Sequence, residues 1–402
     1  MPVNKRIIKT IDATEMRGIN RSAILELIRG SGPISRPKIA EELQVSPPTV
    51  IRIVEDLIEE GLVRPTGHKE WSGGRKRSLL EFSGAEHLIL GIDLGGTKVY
   101  GAVADLNGEI LSETNFTHSP TQAEESFQML CKVIDNLLQF VTQSGRPLRG
   151  IGFGIPGVMD PNSGTVKFAP SLEWNDFPLR QRLAERYDYP TVLENDVNLA
   201  ALGELWFGTK GEEQDLVLIA IGTGIGAGIV INGMVYPGAH HMAGEIGYLL
   251  PDRSHLGRSY PGFGALEQLA SGTGIAERAC HVLQSRLSPE QLEALTSEDV
   301  FAAARQHEPW ATSILEETVD YLAQAIASIS LIFDPDVIIL GGGVSGSADL
   351  LIDPILRRLE GTIPILPRIQ ASRLGYRAVV YGAIIQLLRI TSNYYMLQKY
   401  IG

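Results

Sequence analysis

The stretch LGIDLGGTKVYGAV, residues 90–103, decides how the rest of the chain is understood. An apolar strand reaches an acidic residue, turns through two glycines and resumes as a second apolar strand. Glycine pairs let backbone amides approach a phosphate closely, because no side chain stands in the way. The turn is therefore predicted to hold phosphates, through Asp93, Gly95, Gly96, Thr97 and Lys98. A long segment of different character precedes it and needs its own explanation.

Length and composition bound the class of protein. The 402 residues exceed one compact core, so two or three domains are expected. A content of 44% hydrophobic and 20% charged residues is typical of a globular protein. No apolar run reaches membrane-spanning length and no signal-peptide pattern begins the chain, so we expect a cytoplasmic protein. Cys131 and Cys280 lie in no CxxC pattern and predict reduced thiols rather than a disulfide framework.

The net charge of −12 is distributed unevenly along the chain. Residues 1–82 hold 14 Lys and Arg against 11 Asp and Glu, a balance of +3. Residues 83–402 hold 21 against 36, a balance of −15. Such asymmetry indicates that the N-terminal segment is the part that meets a polyanion.

Residues 19–62 carry three short helical patterns of apolar residues. The second and third are predicted to begin at Ser35 and Ser46, each a capping residue with proline in the first turn that follows. Gly61 is predicted to end the third helix. Two short helices joined by a tight turn, with the second one longer, are typical of a helix-turn-helix.

The third helix is expected to place its first turn in the major groove of DNA. The following segment, LVRPTGHKEWSGGRKRSLLEF, predicts two β-strands around a Gly-Gly tip, a wing whose basic residues contact phosphates or a minor groove. The residues predicted to contact DNA are Arg36, Ser46, Thr49, Arg52, Arg75, Lys76 and Arg77. The alternative is a small helical dimerisation module with a solvated basic loop.

From residue 88 onward strands, helices and glycine turns alternate, which predicts an α/β fold. The segment DLVLIAIGTGIGAGIVING, residues 215–233, repeats the strand–turn–strand pattern of the opening stretch. The two hairpins suggest two similar lobes that grip one nucleotide from both sides. The second turn would contact phosphates through Gly222, Thr223, Gly224 and Gly226. Because its carboxylate cannot cradle phosphate, Asp93 is expected to order Mg²⁺ or water.

A third glycine turn follows the apolar strand DVIIL. Gly341, Gly343 and Gly346 satisfy the GxGxxG pattern of a dinucleotide site. That pattern alone is weak, and a dinucleotide-binding unit normally leads its domain rather than closing the chain. An adenosine-binding turn at Gly342 and Gly343 explains the same glycines better. The chain contains no Walker P-loop.

Together these motifs resemble the ROK family of repressors, unclassified reading frames and sugar kinases, in its long repressor form. The motifs that carry the resemblance are the helix-turn-helix of residues 19–62, DLGGTK (93–98), GIPG (154–157), ENDVNLAALGE (194–204), IGTGIGAGI (221–229), GEIGY (244–248) and ALEQLASG (265–272). The resemblance implies a winged helix-turn-helix followed by an actin-like, ribonuclease H-like two-lobed ATPase fold, with a sugar cleft between the lobes.

The resemblance also implies domain boundaries and site residues. The DNA-binding domain would span residues 1–82 and the kinase-like body 83–402, with lobe one at about 88–196 plus the C-terminal helix and lobe two at about 197–370. Asp196 is similar to the family's catalytic base, which takes the proton from the attacking sugar hydroxyl. The implied sugar contacts are Gly157, Asn195, Asp196, Glu245, Tyr248 and Glu267. For Glu245 and Glu267 structural ion pairing is the alternative.

The chain departs from the family at a zinc site. Family members commonly bind structural zinc through one His and three Cys, and the corresponding positions here are Tyr248, Arg258, Tyr260 and Ala265. None of these side chains supplies a thiolate or imidazole, so no zinc is expected. The nearby His240, His241 and His255 are weak evidence for a metal. Packing by Tyr260 and Phe263 is expected to hold the segment instead.

The sequence therefore predicts a sugar-responsive transcriptional regulator, a repressor of carbohydrate genes in its simplest form. Its partners would be operator DNA and a sugar or sugar-phosphate effector, without a membrane partner, and it would form a homodimer or homotetramer. The alternative is an ATP-dependent, hexose-type sugar kinase with Mg²⁺ and a DNA-binding appendage, because the phosphate turns and Asp196 are intact. The sequence does not identify the sugar.

The DNA-binding prediction separates phosphate contacts from base contacts. Arg75→Ala and Lys76→Ala should weaken binding to every sequence and reduce the slope of log affinity against log salt by about one unit each. Arg52→Ala should instead reduce discrimination between a selected operator and random DNA. Fluorescence anisotropy over a salt series measures both quantities. Full DNA affinity after deletion of residues 1–82 would contradict the assignment.

Overall fold

The computed structural model describes residues 13–72, 75–96, 98–117, 122–209, 213–260 and 264–392, without the side chains of residues 13–15, 68–72, 75–77 and 392. Its N-terminal part is a winged helix-turn-helix with a three-stranded sheet in the order β1-β3-β2. Its elements are α1 (Ala13–Ser31), β1 (Ile34–Ser35), α2 (Arg36–Leu43), α3 (Pro47–Glu59), β2 (Val63–Ser72) and β3 (Arg75–Phe82). The antiparallel β2 and β3 form the predicted wing, whose tip at Gly73 and Gly74 lies outside the described residues.

The serines predicted to cap α2 and α3 occupy the N-cap positions but make no capping hydrogen bond. Pro48, the second residue of α3, carries no N–H, so one of the two donors that an N-cap side chain usually accepts from is missing. The hydroxyls of Ser46 and Thr49 instead hydrogen-bond each other at 2.8 Å. The prolines, rather than the serine side chains, set these helix starts.

The acidic end of α3 is neutralised by the first helix. Arg17 of α1 pairs with Asp56 and Arg21 pairs with Glu60, each at 2.6 Å. These pairs orient the C-terminal half of α3 toward α1. The N-terminal turn of α3, with Arg52 exposed, lies at the other end.

The next segment builds a five-stranded sheet in the order β11-β7-β4-β5-β6. Its elements are β4 (Leu88–Leu94), β5 (Lys98–Asp105), β6 (Ile110–Thr117), α4 (Ala123–Ser144), β7 (Leu148–Ile155), β8 (Val158–Asp160), β9 (Thr165–Ala169), β10 (Trp174–Phe177), α5 (Leu179–Ala184) and β11 (Thr191–Asn195). Strands β4, β5 and β6 are antiparallel, whereas β7 and β11 run parallel to β4. Strands β8, β9 and β10 form a separate small sheet.

A second five-stranded sheet repeats this topology in the order β14-β13-β12-β15-β16. The remaining elements are α6 (Asp196–Gly203), β12 (Leu216–Ile221), β13 (Ile225–Ile231), β14 (Met234–Val235), α7 (Ala265–Ala270), α8 (Gly272–Leu283), α9 (Pro289–Glu293), α10 (Ser297–Arg305), α11 (Pro309–Phe333), β15 (Val337–Gly341), α12 (Ile352–Leu359), β16 (Ile369–Ala371) and α13 (Ala378–Ser392). Again three antiparallel strands are followed by two parallel ones. The repeat confirms the predicted two-lobed actin-like fold. None of the described helices combines the length and apolarity that crossing a bilayer requires.

Helices α6 and α13 cross between the two sheets with their backbones in contact. Helix α13 packs on β4 and β7 of the first sheet, and the opposite side of α6 packs on β12 and β13 of the second. A Cβ atom added at Gly382 would lie 1.9 Å from the carbonyl oxygen of Leu199, and one at Gly203 would lie 2.1 Å from that of Ala378. Only glycine permits this crossing, because any side chain would collide with backbone.

The DNA-binding domain shares an apolar core with the first lobe. This shared core is one cluster of buried residues. It contains Ile24, Leu25 and Ile28 of α1 together with residues of β4, β5, β11 and α13 in the first lobe. The members from the body are Ile89, Tyr100, Ala102, Ala104, Leu106, Val192, Val380, Ile384, Leu387 and Leu388.

Two hydrogen bonds tie the end of α3 to the starts of body strands. His87, directly before β4, bonds the carbonyl of Gly61 at 2.9 Å, and Arg149 in β7 donates to the carbonyl of Glu60 at 2.9 Å. Burial and the neighbouring Arg149 charge lower the pKa of His87. The lowered pKa favours the neutral imidazole, which bonds the chain just after the end of α3.

The helix crossing predicts opposite outcomes for two glycine substitutions. Gly382→Ala should lower the free energy of unfolding by about 1–3 kcal/mol, because the methyl group overpacks the contact with Leu199. Gly30→Ala in α1, where nothing lies within 4 Å of the added Cβ, is the matched control. It should stay within about 1 kcal/mol of wild type, with any change favourable to the helix. Urea unfolding measures both variants, and equal stability of the two would contradict the crossing.

Candidate functional site

The first glycine turn lies at the end of β4, beside Asp93. The backbone N–H of Gly95 donates to the carbonyl of Lys98 at 2.9 Å and closes the hairpin. A Cβ at Gly96 would lie 2.5 Å from Cβ of Ser171, so the turn fits against this residue only as glycine. Thr97 lies outside the described residues. The remaining predicted residues of the turn therefore lie together at the end of β4, the central strand of the first sheet.

The second and third glycine turns lie next to each other, at the ends of β12 and β15 in the second sheet. The N–H of Gly222 donates to Gly224 O at 2.9 Å, with Thr223 exposed between them. Gly342 has a φ of 79°, and a Cβ there would lie 2.4 Å from the carbonyl oxygen of Ile221. Gly343 N lies 4.0 Å from a Cβ built at Gly222, so the two turns are neighbours.

The GxGxxG match at this edge lacks the helix that a dinucleotide fingerprint requires. The segment Gly343–Leu350 is a 3₁₀ turn with a kink at Ser347, not the start of an α-helix. A dinucleotide site relies on the N-terminus of an α-helix to bind the pyrophosphate. The arrangement therefore favours the prediction of a turn within a nucleotide cleft formed by both lobes.

Asp196 begins α6 and is positioned by its neighbours. The side-chain oxygen of Asn195 caps the helix by accepting from Val197 N at 3.0 Å and Asn198 N at 3.1 Å. Its amide nitrogen lies 3.5 Å from the carbonyl oxygen of Gly157, a residue with a φ of 84°. Asn195, predicted as a sugar contact, therefore also has a structural role, because it caps α6 and orients Asp196 at the N-terminus of that helix.

Glu194 is a site residue that the sequence analysis did not assign. Its Oε1 accepts from the backbone N–H of Asn195 and from the side-chain amide of Asn198, both at 3.0 Å. These bonds hold the start of α6 from the strand side. The sequence could have indicated this role, because Glu194 is the first residue of the ENDVN motif and directly precedes Asn195 and Asp196.

Carboxylates from both lobes converge on one cleft. Burial and the adjacent Asp196 charge raise the pKa of Asp93 to about 8, and burial raises the pKa of Asp196 to about 6. Burial and the charges of Glu267 and Asp196 raise the pKa of Glu245. Lys98 is the cation that opposes the shift at Asp93. A cluster of this kind is relieved by a cation, by protons or by donors such as sugar hydroxyls.

Glu267 makes two bonds that its predicted sugar-binding role did not include. Its Oε1 accepts from Ile225 N at 2.9 Å and its Oε2 accepts from Gly264 N at 2.7 Å. The carboxylate thereby joins the second glycine hairpin to the start of α7. Each oxygen keeps a second lone pair, so sugar binding stays a prediction for this residue. Glu267→Ala would free two backbone donors in addition to any sugar contact.

The segment between Tyr248 and Glu267, where no zinc was expected, contains a hydrogen-bonded histidine and tyrosine. The phenol of Tyr260 and Nδ1 of His255 form a hydrogen bond of 2.5 Å, and their rings stack with centroids 6.0 Å apart. The predicted second anchor, Phe263, lies outside the described residues. Tyr248 is 47% exposed beside Glu245 and Glu267, whose charges together with burial raise its pKa. Across the described ranges, no three His, Cys, Asp or Glu side chains are grouped to hold a metal.

The predicted DNA contacts whose side chains the structure describes are exposed or partly buried. Ser46 and Arg52 are exposed, and Thr49 and Arg36 are partly buried. The backbones of Arg75, Lys76 and Arg77 lie in β3, while their side chains lie outside the described part of the chain. Contact of these residues with DNA stays a prediction.

A winged helix-turn-helix fused to a two-lobed cleft with facing carboxylates and glycine turns defines a class of regulators with kinase-like bodies. Residues 89–388 match the family model described as ROK family, and residues 19–64 match the model described as winged helix-turn-helix DNA-binding. The chain belongs to the ROK family.

Individual relatives include both regulators and kinases. The xylose repressor of Caldicellulosiruptor bescii is 28% identical over 385 residues, which cover 93% of this chain and 96% of the relative. The crystal structure of a ROK family transcriptional regulator, a homolog of the E. coli MLC protein, superposes with a TM-score of 0.81 at 25% identity and covers 94% of this chain and 98% of its own. A ROK glucokinase from Streptomyces griseus, in complex with glucose and AMPPNP, is 30% identical with a TM-score of 0.64, and covers 74% and 98%.

The raised pKa of Asp93 predicts a pH-dependent effect of Asp93→Asn. The folded carboxyl keeps its proton up to about pH 8, whereas the unfolded one loses it near pH 3.9, so the free energy of unfolding falls as pH rises between these values. Asparagine removes this penalty. The Tm of Asp93→Asn, measured in a chelator, should therefore exceed that of wild type by more at pH ~8 than at pH ~5.

The exposed Asp188→Asn provides the control, since it should show no such trend. Adding Mg²⁺ should raise the Tm of wild type more than that of Asp93→Asn if the carboxylate helps to hold the cation. A gain for Asp93→Asn that is constant over this pH range would exclude a buried proton on Asp93.

Proposed function

We propose that this protein is a sugar-responsive transcriptional regulator, a repressor of carbohydrate-metabolism genes. Operator DNA binds to the N-terminal domain, and a sugar or sugar phosphate binds in the cleft between the lobes. The observation that carries the proposal is the apolar core that the N-terminal domain shares with the first lobe. A DNA reader packed into the sensor body, rather than tethered to it, responds directly to movements of that body.

Sugar recognition is assigned to polar groups from both lobes. Gly157 and Asn195 lie on the first lobe, Asp196 begins α6, and Glu245, Tyr248 and Glu267 belong to the second. A polyhydroxylated ring supplies the hydroxyl donors that buried carboxylates need. A ligand that bonds to both lobes draws them together and selects one relative orientation. The named relatives make xylose and glucose the first sugars to test.

The regulator works as a homodimer or homotetramer in the cytoplasm. Dimeric readers place two recognition helices about 34 Å apart on DNA, so a small rotation of each body changes the fit to both half-sites. Sugar and DNA change each other's affinity by the same factor, which is a reduction if they select different orientations and an increase if they select the same one.

A second function, ATP-dependent sugar phosphorylation, is supported by the catalytic geometry. Asp196 has a pKa of about 6, which suits a general base near neutral pH. The glycine turns of both lobes would hold the phosphates, and Asp93 would hold Mg²⁺, which neutralises the charge of the transferring phosphoryl group. No zinc is required for folding in either function.

The two functions are separated by Asp196→Asn. If the chain is a sensor alone, wild type and variant should both leave ATP unconsumed in the presence of xylose or glucose, while sugar affinity changes modestly. If it is also a kinase, wild type should consume ATP only with sugar, and the variant should lose ~10²-fold or more in rate while sugar still binds. A coupled ADP assay and calorimetry measure these quantities, with Asp188→Asn as the control.

The regulator proposal itself is tested with DNA fragments selected from a random library. Wild-type affinity for the selected fragment should change when a panel of monosaccharides, disaccharides and their phosphates is added. The effective sugar should also raise the Tm, by the equivalent of ~2.7 kcal/mol at 100 times its dissociation constant. If the protein binds DNA but no member of the panel alters either quantity, the cleft is not a sugar sensor.

A further inference from the structure

We propose that Trp206 is the positioning residue that couples the cleft to the DNA-binding domain. The proposal rests on the proposed function, because it takes the effector to bind at the start of α6. Trp206 lies in the π-helical turn Glu204–Gly208, which continues α6 directly. No motif of the sequence analysis assigned it a role.

Trp206 touches three parts of the molecule. Its half-buried indole packs against the shared core of the DNA-binding domain and first lobe. It also packs against a second core, in which Ala201 and Leu202 of α6 and Leu205 of the π-helical turn meet the strands of the second sheet. The guanidinium of Arg29, in the last turn of α1, lies 5.3 Å from the centroid of the indole ring. One side chain therefore contacts the DNA reader and both lobes.

The contact with Arg29 has a defined geometry. Arg29 also pairs with Glu26 on the same helix at 3.0 Å, which holds the guanidinium over the ring. A planar guanidinium over an indole gains both cation–π attraction and stacking, and Trp is the best partner for such a contact. The pair is partly shielded from water, where this attraction is stronger than at a fully exposed site.

The turn that carries Trp206 is bonded to the return path of the chain between the lobes. Glu204, which is almost fully buried, accepts from the N–H of Leu374 at 2.9 Å and from the hydroxyl of Ser372. Arg373 donates to the carbonyl of Gly208 at 2.9 Å. The chain passes from the first lobe to the second through α6 and returns through residues 372–374. Both passages are thus joined at this turn.

These contacts define how effector binding reaches α1. Helix α6, about 12 Å long, is a rigid rod that joins Asp196 at its first turn to the turn that carries Trp206. A sugar that bonds Gly157 or Asn195 of the first lobe and Glu245 of the second draws the lobes together and moves this rod relative to α13. A π-helical turn is a strained alternative to α-helix and is found often at functional sites, so it can change register when the rod moves. The indole then moves against Arg29.

The test is a linkage measurement on the full chain with xylose and glucose as probes. The coupling factor is the ratio of DNA dissociation constants with and without saturating sugar, and such factors are typically about 5–150. Trp206→Leu should bring this factor to within about twofold of one, while DNA affinity without sugar and sugar affinity without DNA change about threefold or less. Arg29→Lys, which keeps the charge but not the planar contact, should lower the factor partially.

Phe207→Leu is the matched control within the same turn. Phe207 packs on Tyr381 of α13, with ring centroids 4.9 Å apart, and belongs to the shared core. It should lower the Tm as much as Trp206→Leu does and keep the wild-type coupling factor. A wild-type factor in folded Trp206→Leu, or an equal loss in Phe207→Leu, would overturn the proposal. If Trp206→Leu does not fold, the result for Arg29→Lys decides in the same way.

A spectroscopic measurement separates failure of the coupling from failure of the sensor. Protein labelled with 5-fluorotryptophan has four ¹⁹F signals, and the Trp206 signal is assigned by its absence in Trp206→Phe. It should shift when either xylose or glucose is added and when selected DNA is added, whereas Trp310 on α11 should not respond to DNA. If neither sugar changes DNA binding or the Tm, the proposed function fails for these sugars. The DNA titration then decides the coupling: an unchanged Trp206 signal overturns it.

Discussion

The structure depends on the direct backbone contact between α6 and α13. Each helix belongs to the core of a different lobe, and Gly203 and Gly382 let their backbones approach to a distance that no side chain would permit. The contact extends from Leu199 to Gly203 of α6 and from Ala378 to Gly382 of α13. It also places the start of α6, and with it Asp196, between the two sets of glycine turns. The cleft exists because this crossing is so close.

The cleft combines charges that do not stabilise one another. Asp93, Asp196 and Glu245 are all shifted toward their protonated forms because they share a low-dielectric space. Backbone donors bond both oxygens of Glu267, Val197 N–H donates to Asp196, and the Lys98 charge opposes the shift at Asp93. Ionising Asp93, Asp196 and Glu245 together is nevertheless costly, and a polyol or a cation would reduce that cost.

Periodicity and turn chemistry predicted an N-terminal helix-turn-helix and an α/β body with two similar lobes, the resemblance to the ROK family added the actin-like fold, and neither gave every role of a single side chain. The helix-turn-helix, the wing and the repeated hairpins follow from local patterns of apolar residues, glycine and proline. The absence of a capping bond at Ser46 depends on Pro48, which removes one of the two donors, and on the hydroxyl of Thr49, which bonds that of Ser46. The double bonding of Glu267 and the place of Trp206 depend on residues distant in sequence. Contacts of this kind arise only when both lobes are packed, so no local pattern encodes them.

The core common to α1 and the first lobe limits how this architecture can be rearranged. The apolar residues of α1 belong to one buried cluster with residues of β4, β5 and α13, and these elements are far apart in the chain. Exchanging the reader with that of a relative would bring together two faces that have not evolved to match. A chimera would need the corresponding positions of those strands and of the final helix to be transplanted as well. Operator preference and sensor body are thus expected to be inherited as one unit in this lineage, unlike domains joined by a flexible linker.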